Sequence, residues 1–382
     1  MRALCTRLSG GSANSAAAGD GSARAAAPRP GPPRPSRARR AVTLAVSAAC
    51  AAVGVLFATV PAATAGSSTR VNADDPSAFN IKDPRITESS GLAASRAHPG
   101  VYWTHNDSED GPYVYAVDSR TGETVATVTL QGVEPRDVEG ISLGPGGELF
   151  VGDIGDNLGG SWSEVWIYRF AEPEKLRDTT VTPTRYTVQY ADGPRDAESL
   201  MVHPKTGRVY IASKNDEKKG GVYAGPEKLS AMGVNTFQRV GRTDMWATDG
   251  AFSPDGTRLL LRSYFGAEMY RWTADGRPEP IDTVNVPMQR QGESVTFTPD
   301  GRTLMFGTEG EGGGVEPEDL EGELLPERAA KEKAAEEKDG GSGGDGEGNT
   351  AEENRELLVG GATFALAVGV WMAVRRLFRR RS

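Results

Sequence analysis

The chain has 382 residues, 37% of them hydrophobic and 25% charged, which is enough for one large core but not for a folded structure from end to end. Both cysteines, Cys5 and Cys50, lie in the first 50 residues, so the rest has no thiol for a disulfide, a Cys-ligated metal or a nucleophile, and three histidines leave little for a zinc or haem centre. The net charge of -9 divides into two basic ends around an acidic bulk, and that bulk opposes the phosphate neutralisation a nucleic-acid partner requires.

Residues 1–65 carry eight Arg against Asp20 and are rich in Ala, Gly, Pro and Ser up to an apolar run from Ala41 to Val60. Charge, apolar run and then Ala63 and Ala65 predict a disordered n-region and a secretory signal cleaved after Ala65. An uncleaved anchor is the rival reading, since twenty apolar residues can span a membrane.

Residues 66–310 contain a repeat. "DVEGISLGPGGELFVGD" from Asp137 is a carboxylate, an alternating apolar strand, a Pro-Gly turn and a second strand. The same unit returns in "DAESLMVHPKTGRVYIASK", "WATDGAFSPDGTRLLLRSY" and "QGESVTFTPDGRTLMFGTE", and a looser copy begins at Glu88. Glu139, Glu198, Thr248 and Glu293 each precede the turn proline by six residues. The starts, counted from Glu88, lie 51, 59, 50 and 45 residues apart, the size of a four-stranded propeller blade. Turns such as "SPDG" supply a fixed proline φ, a side chain that bonds its own backbone and a glycine for positive φ. The expected fold is all-β, a β-propeller of five or six four-stranded blades, either closed by strands borrowed from Ser77 to Thr87 or left with one blade incomplete. A Greek-key sandwich would not explain the recurring unit.

Residues 311–356 hold 16 acidic and five basic residues with almost no aromatic content, which predicts an acidic stalk with a short solvated helix from Pro326 to Lys338. The run 357–374 is uncharged and covers about 27 Å as a helix, enough to span. Five Arg follow in 375–382, and basic clusters favour the cytoplasmic side. The expected topology is an extracellular domain, one C-terminal transmembrane helix and a basic tail.

"SSGLAAS", "YWTHNDS", "VGDIGDN" and "IYRF" resemble a pattern in secreted actinobacterial β-propeller proteins, WD40-like or TolB-like, over about residues 84 to 310. The Trp-Asp ending of true WD40 blades is absent, so the likeness is to propellers generally. It is similar, more distantly, to esterase-like and phytase-like propellers.

Because the two strands of a repeat are antiparallel, the start of the first and the end of the second meet at one end of the blade. That end is expected to gather a ligand face of Glu88, His105, Asp107, Glu139, Glu198, Lys214, Arg262 and Glu293. Such a crowd of carboxylates needs protons, basic partners or a bridging cation. Calcium or another divalent cation would draw its oxygens from Asp137, Glu139, Asp153, Asp156 and Asn157. Structural salt bridges and a catalytic group are the competing explanations. His98 and His203 are expected as exposed turn residues at the opposite end, and no nucleophile is identified. The leading function is a tethered propeller binding an envelope protein, a glycan or a small anionic ligand. The alternative is a divalent-metal-dependent hydrolase of a phosphate or carboxylic ester, with Lys214 or Arg262 meeting the substrate's charge.

Overall fold

A computed structural model describes residues 76–340, apart from 108–109 and 215–219; the side chains of 339 and 340 are also outside the description. The expected signal segment, the transmembrane run and the basic tail lie outside these residues. Among the described residues no helix is long and apolar enough to cross a membrane.

A two-residue strand β1 (Phe79–Asn80) precedes a meander of β2 (Ser89–Ala94), β3 (Val101–Asn106), β4 (Tyr113–Asp118) and β5 (Thr124–Leu130). The next set is β6 (Val138–Leu143), β7 (Glu148–Asp153), β8 (Val165–Ala171), a short β9 (Thr179–Val181) and β10 (Thr184–Tyr190). Then come β11 (Ala197–Val202), β12 (Val209–Ser213), β13 (Gly221–Ala224) and β14 (Val234–Arg242). They are followed by β15 (Asp249–Phe252), β16 (Arg258–Ser263), β17 (Gly266–Trp272) and β18 (Pro278–Val284). The series ends with β19 (Gly292–Phe297), β20 (Thr303–Thr308), β21 (Gly314–Asp319) and a helix α1 (Glu327–Gly340).

The described residues are all-β up to a 3-10 turn at Gly322–Leu324 and α1, and their hydrogen-bonded sheets follow the repeat. One sheet runs β2-β3-β4-β5 with β9 on its edge, another β15-β16-β17-β18, and a third β19-β20-β21-β1. The sets β6-β7-β8-β10 and β11-β12-β13-β14 join into one eight-stranded sheet through parallel pairing of β10 with β14. The first strands pack in succession, β2 on β6, β6 on β11, β11 on β15, β15 on β19 and β19 back on β2, as in a β-propeller. Closure comes from the N-terminal side: Phe79 pairs with Val315 and Asn80 with Gly314.

Neighbouring sheets are glued by apolar faces. Trp103, Val114 and Val128 meet Ile141, Leu149 and Tyr168 in one cluster; Ile81, Tyr102 and Tyr115 meet Met305 and Val315 in another. Each such fully buried side chain contributes about 1.5–3 kcal/mol. Where first strands cross, small residues let backbones approach, so a Cβ on Gly140 would stand 2.8 Å from the Leu200 nitrogen.

The folded domain runs past residue 310, where composition places the start of the stalk. The strand β21 lies in that acidic stretch because β20 and β1 supply its ladder bonds and only Val315 need enter the core. Leu320, Leu325 and Ala329 then bury against the β15–β20 sheets, so the first turn of α1 is docked rather than solvated. Compositional rules count residues across a segment and miss a few well-spaced apolar anchors.

Candidate functional site

The pairing register explains why carboxylates gather at one end. Within β6, Val138 faces Asp153 and Gly140 faces Gly152, which leaves Glu139 as an extra residue in a β-bulge. Glu198 in β11 and Glu293 in β19 occupy the same bulge. In β2 the bulged residue is Ser90, between Ser89 paired with Asn106 and Gly91 paired with His105. No shift occurs in β15, where Thr248 precedes the strand and donates its hydroxyl to the Glu293 carbonyl at 3.0 Å. A bulge re-aims one side chain without breaking the ladder on either side. The equivalent positions therefore run Ser90, Glu139, Glu198, Thr248, Glu293 around the ring, at what is here named the mouth end.

Ser90 corrects the alignment at Glu88, which lies two residues ahead of the bulge and uses its carbonyl to accept the Asp107 N–H at 3.1 Å. The longer first turn hides the offset. The small residue after the bulge reveals it: Ser90-Gly91-Leu92 matches Glu139-Gly140-Ile141, Glu198-Ser199-Leu200 and Glu293-Ser294-Val295.

Three glutamates so close, and so buried, cannot all ionise cheaply. Burial pushes the Glu293 carboxyl up to about 9, helped by Glu198 and Glu309, while Arg262 and Lys214 oppose the rise. Glu139 is raised by its burial and by Glu198 and Asp137. Its Oε2 accepts the Ser90 hydroxyl at 3.0 Å. Burial also raises Glu198, to about 7, although Lys214 lies against its Oε1. The Lys214 ammonium bridges to Asp196 at 3.2 Å as well. Its own burial favours the neutral amine, but Glu198 and Asp196 outweigh that and raise its pKa. Trp246 stands over this ammonium, 5.8 Å from ring centre to Nζ. Burial, with Glu293 and Glu198 nearby, raises the Tyr264 phenol to about 12.

Two residues expected on the ligand face are part of the scaffold. Arg262 is 0% exposed and gives its guanidinium to the carbonyls of Ser294 (2.8 Å) and Gly307 (3.0 Å) and to Gln289 Oε1 (3.3 Å). Its guanidinium lies over the Phe306 ring, 5.0 Å from Cζ to the ring centre, and burial lowers its pKa to about 10. His105 is 1% exposed beneath Gly91, and burial holds its pKa down, so it offers no base to a ligand. His203, expected as an exposed turn residue, instead packs edge-on against Phe252.

The expected cation donors do not converge. Asp153 accepts the backbone N–H groups of Asp137 (3.0 Å) and Arg136 (3.3 Å). Asp156 closes its own loop, accepting from Leu158 N, Ser161 Oγ and Trp162 N at 2.5–3.3 Å. Asn157 Nδ2 donates to Asp137 at 3.1 Å, and burial raises the Asp137 carboxyl to about 6. Among the described residues no group of three or more His, Cys, Asp and Glu could hold a metal ion. The Asp and Asn of "DIGDN" are loop-building residues, a role their short side chains fill as well as ligation. Sequence reading also missed Asp249, 0% exposed in β15, whose carboxyl accepts the N–H groups of Gly250 (2.7 Å) and Val295 (2.8 Å) and so ties two sheets together.

The two ends differ in surface. The mouth end carries the exposed apolar side chains of Tyr113 (39%), at the start of β4, and of Leu158 (75%), Trp246 (47%), Phe265 (79%) and Met288 (103%) on loops, against Met232 and Val234 at the other end. At the turn end a cavity of about 50 Å³ lies between Leu92, Arg96, Ser142, Val202, Phe252 and Thr296. There α1 is tied down by Asp255 accepting the Arg328 N–H at 2.9 Å and by Arg302 pairing with Glu336 at 2.6 Å.

No family model and no curated protein matches the chain. Among solved structures it is similar to the mitotic checkpoint complex, with 14% identity and a TM-score of 0.34 over 60% of this chain and 61% of that one. A putative 6-phosphogluconolactonase from Bacteroides uniformis gives 16% and 0.36 over 62% and 69%. Hydrazine synthase from Kuenenia stuttgartiensis gives 13% and 0.33 over 57% and 61%. The chain spans less than two thirds of the first and third of these. Likenesses this loose say nothing of activity, ligand or partner, and the fold rests on the strand pairing described above.

Proposed function

We propose that the protein is a five-bladed propeller, tethered outside the cell by its C-terminal apolar run, that presents its mouth end to a protein partner in the envelope. The five bulge-equivalent positions and the ring of first strands support the blade count. The observation that carries the function is the gathering of Tyr113, Leu158, Trp246, Phe265 and Met288 at one end, around the carboxylates. Large exposed apolar side chains gathered at one end of a domain mark an interaction surface. The opposite end carries α1, from which the chain continues toward 357–374, so a tether there would turn the mouth away from the membrane. An excess of carboxylates at the mouth disfavours the small anionic ligand. The hydrolase reading loses its support, because Arg262 is spent on carbonyls and Lys214 on Glu198 and Asp196.

A photo-crosslinking residue in place of Phe265 tests this reading against one in place of Met232, which is 96% exposed on the β13–β14 turn at the other end. In intact cells the expected adducts form from position 265 and not from 232. Equal yields from both positions, or none from 265, would overturn it.

A further inference from the structure

We infer that the mouth binds a lysine or arginine side chain carried by a polypeptide, with the Glu198 and Glu293 carboxyls as its acceptors and Trp246 and Phe265 against its apolar flanks. The inference rests on the proposed partner-binding role of this end and names the chemistry that the site selects.

A buried acceptor there lacks a donor. Glu198 Oε2 is buried with no hydrogen bond, and Glu293, 5% exposed as a residue, has a carboxyl close enough for the Glu198 charge to raise its pKa. An unsatisfied buried acceptor has lost its water without gaining a partner, so a donor arriving with a ligand is favoured. The protein's own cations leave this demand standing. Lys214 serves the Asp196 flank and Oε1 of Glu198, and Arg262 is turned to backbone carbonyls behind the ring.

The flanks choose an organic cation over a metal ion. Trp246 already lies over an ammonium, that of Lys214, and its indole remains 47% exposed. Aromatic faces attract Lys and Arg head groups and add nothing to the oxygen shell of a hard divalent ion. The rim in turn chooses a polypeptide over a small amine. Phe265 and Met288 stand on separate loops at 79% and 103% exposure, apolar surface that a lone alkylamine would not cover.

Panning a random heptapeptide display library on the immobilised full-length protein tests the inference. Sequences with Lys or Arg beside an apolar residue should be enriched, and the strongest, resynthesised, should lose at least about tenfold in affinity on Glu293→Gln, the size of one charge-assisted hydrogen bond. Trp246→Ala, an exposed position, should weaken it similarly and guards against a variant that fails to fold. Basic peptides that bind both variants as well as the wild type would overturn the inference, since any acidic surface would then suffice. Enrichment of apolar peptides with no basic residue, lost on Phe265→Asp, would overturn it too, yet leave the mouth end standing as a docking face. No enrichment of any kind would overturn both readings.

Discussion

Lys214 and Glu198 form an ion pair in which each side chain is only 7% exposed, at the end of β12 and in the bulge of β11. Removing one partner of such a pair leaves an uncompensated buried charge, at a cost of about 3–5 kcal/mol. Lys214→Met should therefore lower the melting temperature by roughly 10 °C, taking about 2–4 °C per kcal/mol for a domain of this size. Glu198→Gln should cost less, because Asp196 still holds the ammonium at 3.2 Å. Thermal denaturation of both variants checks the order; equal losses would contradict it.

Glu293, Glu198 and Asp137 have folded pKa values raised to about 9, 7 and 6 by burial, above those of unfolded carboxylates. Between the unfolded values and these raised ones the native state binds protons that the unfolded chain has released, so stability falls as pH rises through that window. Asp83 acts oppositely: its pKa is lowered to about 2 by the Arg85 side chain, and its contribution is lost only as acid approaches that value. The melting temperature should be higher at pH 5 than at pH 8.5, and Glu293→Gln should flatten the slope. A wild-type slope that is zero or positive would reject this account of the ring.

Arg262 donates from Nη1 to two carbonyls of the next sheet and from Nη2 to Gln289 Oε1, and a planar fork covers all three where a single ammonium cannot. Arg262→Met should destabilise by about 3–5 kcal/mol, and Arg262→Lys should recover less than half. Full recovery by lysine in a denaturant titration would show that charge alone is needed.

Asp153 and Asp156 are bound to backbone N–H groups, and no group of three or more His, Cys, Asp and Glu among the described residues could hold a hard cation. A chelator should leave the melting temperature unchanged, and added calcium should not raise it, since stabilisation follows only from binding to the native state. A calcium-dependent rise would restore the cation expectation.

A fragment ending at residue 340 should fold with the stability of the parent domain, whereas one ending at 310 should not. The shorter piece loses β21, strips the partner from β1 and uncovers the surface under Leu320, Leu325 and Ala329. Circular dichroism melting of both fragments decides it, and equal curves would move the domain boundary back to 310.

Strand pairs, turn chemistry and the shared end of the carboxylates were legible in the sequence, because strand alternation and Pro-Asp-Gly turns are local and recur at fixed spacing. A last repeat with too few strands left either a borrowed strand or an incomplete blade, and the pairing of Phe79 with Val315 decided for the former. What each polar side chain does was decided by the tertiary structure. Ser90 reaches Glu139 in the next sheet, Arg262 reaches Ser294 and Gly307 across another boundary, and Phe79 meets Val315 from the far end of the domain. Hydrogen-bond satisfaction and burial are set by neighbours in space. One extra residue in a strand, which pairing alone reveals, turns a glutamate into the mouth, while dense packing takes Arg262 and His105 out of it.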